Sequence, residues 1–128
     1  MRFLPQIAAT LLGLLFIAFS SMVIFNLAPT PPAPPEGSPA AHFMAAFAPT
    51  GYLHFIKWCE FIGGILVIIP KTRNIGLLVL TPIIVNIVAF HVFITNGADV
   101  FSPVILAIEA LTLFLFWSER RRFLGLIR

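Results

Sequence analysis

Long apolar segments run through most of this chain and leave too little polar surface for a water-soluble fold. Hydrophobic residues make up 59% of the 128 residues and charged residues only 10%, whereas a soluble domain carries about 25% charged residues. An apolar stretch of about 20 residues is long enough to cross a bilayer as a helix. The sequence therefore predicts one all-α integral membrane domain, residues 1–128, folded as a four-helix transmembrane bundle.

Turn and capping residues between the apolar runs set the boundaries of the predicted spans. The first run starts beside Arg2 like a signal peptide, but it exceeds the roughly 7–15 apolar residues of a signal core, so we interpret it as a retained helix. Asn74 can cap the third span, and Ser102 with Pro103 can start the fourth. We predict spans over residues 4–27, 51–69, 75–95 and 102–118.

A segment rich in proline, residues 28–40, follows the first span. Proline removes backbone donors and blocks a helix, so this segment must be a loop outside the hydrocarbon, where its carbonyl groups meet water. Residues 42–49, HFMAAFAP, are too short to span. They fit a turn or two of interfacial helix, or a loop with apolar anchors.

The placement of the basic residues predicts the orientation in the membrane. Seven of the eight fall before the first span, between the second and third, or after the fourth: Arg2, Lys71, Arg73, Arg120, Arg121, Arg122 and Arg128. The two remaining connections contain Glu36 and Asp99 but no Lys or Arg. The positive-inside rule then places both termini in the cytoplasm of a multi-pass protein of the inner (plasma) membrane.

Six ionisable or amide side chains of the last three predicted spans fall in the outer half or at the midplane: His54, Lys57, Glu60, Asn86, His91 and Glu109. A central Lys or Asp costs about 2.5–3.5 kcal/mol to insert, so such residues usually face the bundle interior and pair. Lys57 and Glu60 are three apart and can touch, and Gly63–Gly64 would let a neighbouring helix approach closely. We predict a polar pocket that opens outward beneath the proline-rich loop and binds a ligand or exchanges protons.

Other interpretations of the same residues stay open. Lys57 and Glu60 could form an inert structural ion pair. Asn86 and His91 lie about 140° apart on an ideal helix and cannot both point at one spot unless Pro82 kinks it. His54, Glu60 and His91 lack an HxxxH or HExxH spacing, so we predict no metal site. Cys59 is the one cysteine, which excludes an internal disulfide, and no basic–aromatic surface for nucleic acid is present.

Three motifs in order, GYL..IK..E..GG.L, P...N...FH and W..RRR, resemble the DoxX-like family over nearly the whole chain. The family pattern falls on Lys57, Glu60, Gly63, Gly64, Pro82, Asn86, His91 and Arg120–Arg122. The resemblance implies a four-helix bundle of a small bacterial membrane protein. Some members are linked to quinone-coupled sulfur oxidation or redox-stress complexes, and eukaryotic relatives act as assembly chaperones. Glu109 departs from the pattern, which has Asn in the fourth span.

Three functions are compatible with these residues and motifs. The first is a redox-associated accessory subunit that binds a quinone and needs a partner oxidoreductase subunit, so the chain is not an enzyme on its own. The second is an assembly chaperone or structural accessory subunit that binds helices of another membrane protein within the lipid bilayer. The third is a small transporter, which the lack of internal repeats and broken helices disfavours.

The predicted orientation can be tested with reporters fused after Arg128. We expect a reporter that works in the cytoplasm to be active and one that works only outside the inner membrane to be silent, because the basic segments stay inside. The opposite pattern would reverse the predicted topology.

Overall fold

The computed structural model describes residues 3–127 and shows an all-helical chain, without strands in that range. The four predicted spans correspond to four long helices, and a short helix lies between the first two. The helices are α1 (Leu4–Ile24), α2 (Pro39–Phe47), α3 (Tyr52–Ile68), α4 (Arg73–Ala89, which continues as a π-helical segment, Phe90–Ile94) and α5 (Pro103–Leu124).

Two helices are long and apolar enough to cross a membrane, namely α1 and α4 with its π-helical continuation. Helices α2 and α3 are long and apolar enough only when they are taken together as one span, and this span is bent by 81° between them. The described chain therefore has two or three candidate membrane-spanning helices by length and composition. Helix α5 has 22 residues, but its last turns carry Glu119 and Arg120–Arg122, which shorten its apolar stretch.

Helix α2 occupies the segment for which the sequence left a loop or a short helix open. Ser38 caps it, because the Ser38 hydroxyl accepts a hydrogen bond from the Ala41 amide at 3.1 Å. Pro39 follows at the first helical position, where its missing N–H leaves no hydrogen bond unmade. The helix ends before Pro49, and Gly51, with φ +82°, allows the chain to turn into α3.

The start of α4 differs from the prediction. The N-terminal cap is Thr72 and the helix begins at Arg73, so Asn74 lies in the first turn and caps nothing. The Thr72 hydroxyl donates to the Leu66 carbonyl oxygen at 2.9 Å and ties the end of α3 to the start of α4. Helix α5 starts at Pro103 as predicted, but it continues six residues beyond 118.

Two consecutive glycines make α3 the central helix of the bundle. A Cβ atom on Gly63 would lie 2.7 Å from Leu80 Cδ2 of α4, and one on Gly64 would lie 2.8 Å from the Gly13 carbonyl oxygen of α1. The sequence predicted one close neighbour at this pair, whereas the structure has two, on different sides. Helix α5 completes the bundle by packing against α1 and α4.

Arg73 joins all four long helices at one end of the bundle, although it was expected to be an ordinary loop residue. It is only 6% exposed. Its guanidinium donates to the Val67 carbonyl oxygen at 3.3 Å, to Glu119 at 3.4 Å and to the Gln6 side-chain oxygen. Gln6 in turn donates to the Ile68 carbonyl oxygen at 3.0 Å.

This network places the start of α1, the α3–α4 connection and the end of α5 at the same end of the bundle. Lys71 and Arg120–Arg122 lie in these segments and are exposed. Together with the buried Arg73 they form one basic end, and Lys57 is the one described basic residue that lies elsewhere. Arg2 and Arg128, which contributed to the predicted orientation, lie outside the described residues.

Replacement of Gly64 should destabilise the bundle. In Gly64→Ala the new methyl group would meet a backbone oxygen of α1, which cannot rotate away, so we expect a loss of about 1–3 kcal/mol. Thermal unfolding in detergent measures the effect. Gly125→Ala is the control, because the nearest atom to its added Cβ is 3.2 Å away at the end of α5. Equal stabilities of the two variants would show that the α1–α3 contact is loose.

Candidate functional site

Lys57 and Glu60 form the predicted ion pair on α3. The Lys57 ammonium lies 2.9 Å from Glu60 Oε2 and 3.2 Å from Oε1, so it donates to both carboxylate oxygens. The Glu60 side chain is 4% exposed and the Lys57 side chain 21% exposed. Within residues 3–127, Lys57 has no acceptor other than Glu60. Because an ammonium has three N–H groups, it can still donate to a bound ligand.

A cavity of about 210 Å³ lies beside this pair, between α2, α3 and α4. Its polar lining comes from Lys57, Glu60, Asn86 and His91, which are four of the six predicted site residues. The rest of the wall is apolar and consists of Phe43, Met44, Leu53, Phe47, Ile56, Ile83, Ile87 and Phe90. The site is thus a small apolar chamber with a few polar groups on its wall, which is the usual composition of a ligand pocket.

Asn86 and His91 both line the cavity although they point in different directions. Ile83, which also lines it, lies between them in angle, about 60° from Asn86 and about 80° from His91 on a helix with 100° per residue. The two polar residues therefore mark opposite edges of the α4 wall. The Asn86 amide donates to the Pro82 carbonyl oxygen at 2.9 Å, and His91 Nδ1 lies 3.0 Å from the Ala98 carbonyl oxygen.

His91 belongs to the π-helical segment that ends α4. There the Thr95 amide donates to the carbonyl oxygen of Phe90, five residues earlier, at 3.1 Å. Single π-helical turns within α-helices are frequent at functional sites. Sequence reasoning placed the possible distortion at Pro82, whereas α4 remains a continuous α-helix from Arg73 to Ala89 and changes its hydrogen-bond pattern only at Phe90.

His54 and Glu109, which were predicted to join the polar pocket, do not line this cavity. A spacing of three residues rotates each successive side chain by about 60°, so His54 lies about 120° from Glu60 around α3, and it is exposed. Glu109 is half-buried on α5, but α5 contributes no residue to this cavity. The position of Glu109 along the chain gives its depth in the predicted span but not which helices enclose the site.

Sequence reasoning missed the aromatic wall that α2 supplies. Phe43 packs on Phe90 with ring centres 5.0 Å apart, and Phe47 packs on Tyr52 at 5.1 Å. The four-residue spacing of Phe43 and Phe47, which places them on one helical face, was the available signal.

The described residues 3–127 contain no group of three or more His, Cys, Asp or Glu side chains that could hold a metal ion. Cys59 is a half-buried free thiol.

The chain is similar to the uncharacterized protein YwoB of Bacillus subtilis (strain 168), with 33% identity over 97 residues. The match covers 73% of this chain and 61% of YwoB, so it spans less than two thirds of that relative. No family model matches the chain, and no solved structure matches it.

Removal of Lys57 alone should be worse than removal of both charges. Lys57→Met leaves Glu60 buried without its partner, a change that costs about 3–5 kcal/mol in soluble proteins and less where the carboxylate takes up a proton. We expect a lower melting temperature for Lys57→Met and partial recovery in Lys57→Met with Glu60→Gln.

Lys71→Met is the matched control for this experiment, because Lys71 is an exposed lysine at the α3–α4 connection. It should leave the melting temperature unchanged. If Lys57→Met unfolds at the same temperature as the native chain, the ion pair contributes nothing to stability, and Lys57 only extends toward the surface.

Proposed function

We propose that this chain is a DoxX-like protein of the bacterial inner membrane, with four spanning helices and both termini in the cytoplasm. The basic end of the bundle, which Arg73 holds together, supports this orientation because basic residues stay on the cytoplasmic side. Trp117 lies at that end, with the Arg120 guanidinium 4.6 Å from the centre of its ring. Tryptophan is enriched at membrane–water interfaces, so Trp117 marks the proposed inner boundary.

The cavity supports a redox-associated accessory subunit that binds the ring of a lipid-soluble quinone. The observation that carries this proposal is the Lys57–Glu60 pair on the wall of an otherwise apolar, phenylalanine-lined chamber. A quinone ring has two carbonyl oxygens that accept hydrogen bonds and two flat apolar faces. Lys57 can donate to one oxygen, and the Phe43 and Phe90 rings can pack against a face.

The size of the cavity agrees with a ring rather than with a whole large ligand. Pockets for drug-sized molecules measure about 300–1,000 Å³, and this cavity measures about 210 Å³.

Reduction of a quinone to a quinol takes two electrons and two protons. In the proposed role a partner oxidoreductase subunit exchanges the electrons with the ring, and this chain handles protons. Glu60 is buried beside the cavity. Its carboxylate would take up a proton from water and pass it to a ring oxygen, and a second transfer of the same kind would deliver the second proton, while Lys57 holds the side chain in place.

A second candidate function, assembly chaperone or accessory subunit for another membrane protein, is favoured by Glu109. This half-buried carboxylate makes no hydrogen bond or ion pair with any of residues 3–127. Leu106 and Leu113, one turn on either side, are exposed. A helix of a partner could cover this face of α5 and donate a hydrogen bond to Glu109. Site-directed crosslinking from Leu113 in cell membranes would reveal such a helix.

Quinone binding can be tested by thermal unfolding of the purified protein with ring-only benzoquinone and naphthoquinone. A ligand at about 100 times its Kd stabilises the folded state by about 2.7 kcal/mol, so we expect the melting temperature to rise with concentration. The rise should vanish in Lys57→Met with Glu60→Gln and persist in Lys71→Met. No rise with any quinone, together with no quinone in solvent extracts of the purified protein, would contradict the proposal.

A further inference from the structure

A shallow groove of about 260 Å³, open to the surroundings, lies at the bend between α2 and α3. Its lining consists of Phe43, Ala46, Phe47, Thr50 and Tyr52, and we call it the elbow groove. Two lining residues, Thr50 and Tyr52, carry hydroxyl groups, and the Thr50 hydroxyl is already bonded, because it donates to the Ala46 carbonyl oxygen at 2.8 Å. The groove therefore offers hydrocarbon and aromatic surface to an occupant.

The elbow groove adjoins the cavity beside Lys57 and Glu60, which we call the inner cavity. Phe43 and Phe47 line both of them, so these two rings separate the polar chamber from the apolar groove. The 81° bend between α2 and α3 creates this arrangement, because it turns one face of α2 toward α4 and leaves another side of the same rings beside Tyr52. A molecule that passes the edge of the two rings would contact both cavities.

We propose that the elbow groove holds the hydrocarbon chain of the ligand whose ring occupies the inner cavity. This inference rests on the proposed function and narrows its ligand to an amphiphile with a small polar ring and a long apolar tail. The inner cavity is too small for both parts, and the adjoining groove is apolar and shares its wall. A tail in the groove would also hold the ring against the Lys57–Glu60 pair.

The test compares two probes, a dimethoxy-methyl-benzoquinone without a tail and the same ring with a decyl tail. Ala46→Trp fills the groove without touching the inner cavity, and Ala46 is exposed, so the fold should tolerate the change. Ala45→Trp is the matched control, because Ala45 is an exposed neighbour on α2 that lines neither cavity. The unliganded melting temperature of each variant shows whether it is folded.

We expect Ala46→Trp to weaken binding of the tailed quinone about tenfold, the cost of a steric overlap, and to leave the tailless ring within about twofold of the native protein. Ala45→Trp should change neither. Because each probe is compared with itself in two variants, its partition into detergent cancels. Equal weakening of both probes, or of neither, would overturn the groove assignment and leave the ring site standing.

Two other results are informative in different ways. If the native protein binds neither probe, the quinone function itself fails, and the tail assignment fails with it. If native mass spectrometry shows a phospholipid that is retained by the native chain and lost in Ala46→Trp, while quinone binding stays unchanged, the groove belongs to a bilayer lipid and the proposal is overturned.

Discussion

The bundle depends on the absence of side chains at two successive positions of α3. Gly63 lets α4 approach and Gly64 lets α1 approach, so one helix contacts two neighbours at close range. In a bilayer, where burial of apolar surface drives helix association only weakly, close packing at small residues is a main source of stability. Glu60 lies about one turn before the glycines and is buried with them. A buried carboxylate needs a partner, and Lys57, three residues earlier on the same face of α3, supplies it.

The two buried charge clusters of the molecule differ in what they connect. Arg73 donates to groups on α1, α3 and α5 from the start of α4, so its hydrogen bonds hold the helices together. The Lys57–Glu60 pair lies within a single helix and joins no two elements. A charge pair that joins no two helices, yet lines a cavity, is consistent with the ligand-binding role that we propose for it.

Helix α2 supplies one wall of the cavity beside this polar pair. It contributes no fully buried residue to the bundle core, and its aromatic residues pack on Phe90 and Tyr52 to close one side of the chamber. Without it, Lys57 and Glu60 would face an open cleft between α3 and α4. The bend at Gly51 is therefore as important to the proposed chemistry as the charged residues, because it positions the wall that separates the chamber from the elbow groove.

The sequence by itself determined the four long helices, since apolar runs bounded by Pro, Gly and Asn specify local structure. It also determined the Lys57–Glu60 contact, because residues three apart on a helix are neighbours whatever surrounds them. Tertiary structure decided the rest. Periodicity gives angles within one helix but not which helix lies beside it, so it could not show that His54 and Glu109 lie outside the cavity beside Lys57 and Glu60. Arg73 and α2 acquired their roles only when distant segments met. The chain encoded the polar pair locally, and only the packing of α2, α3 and α4 decided that a cavity would lie beside it.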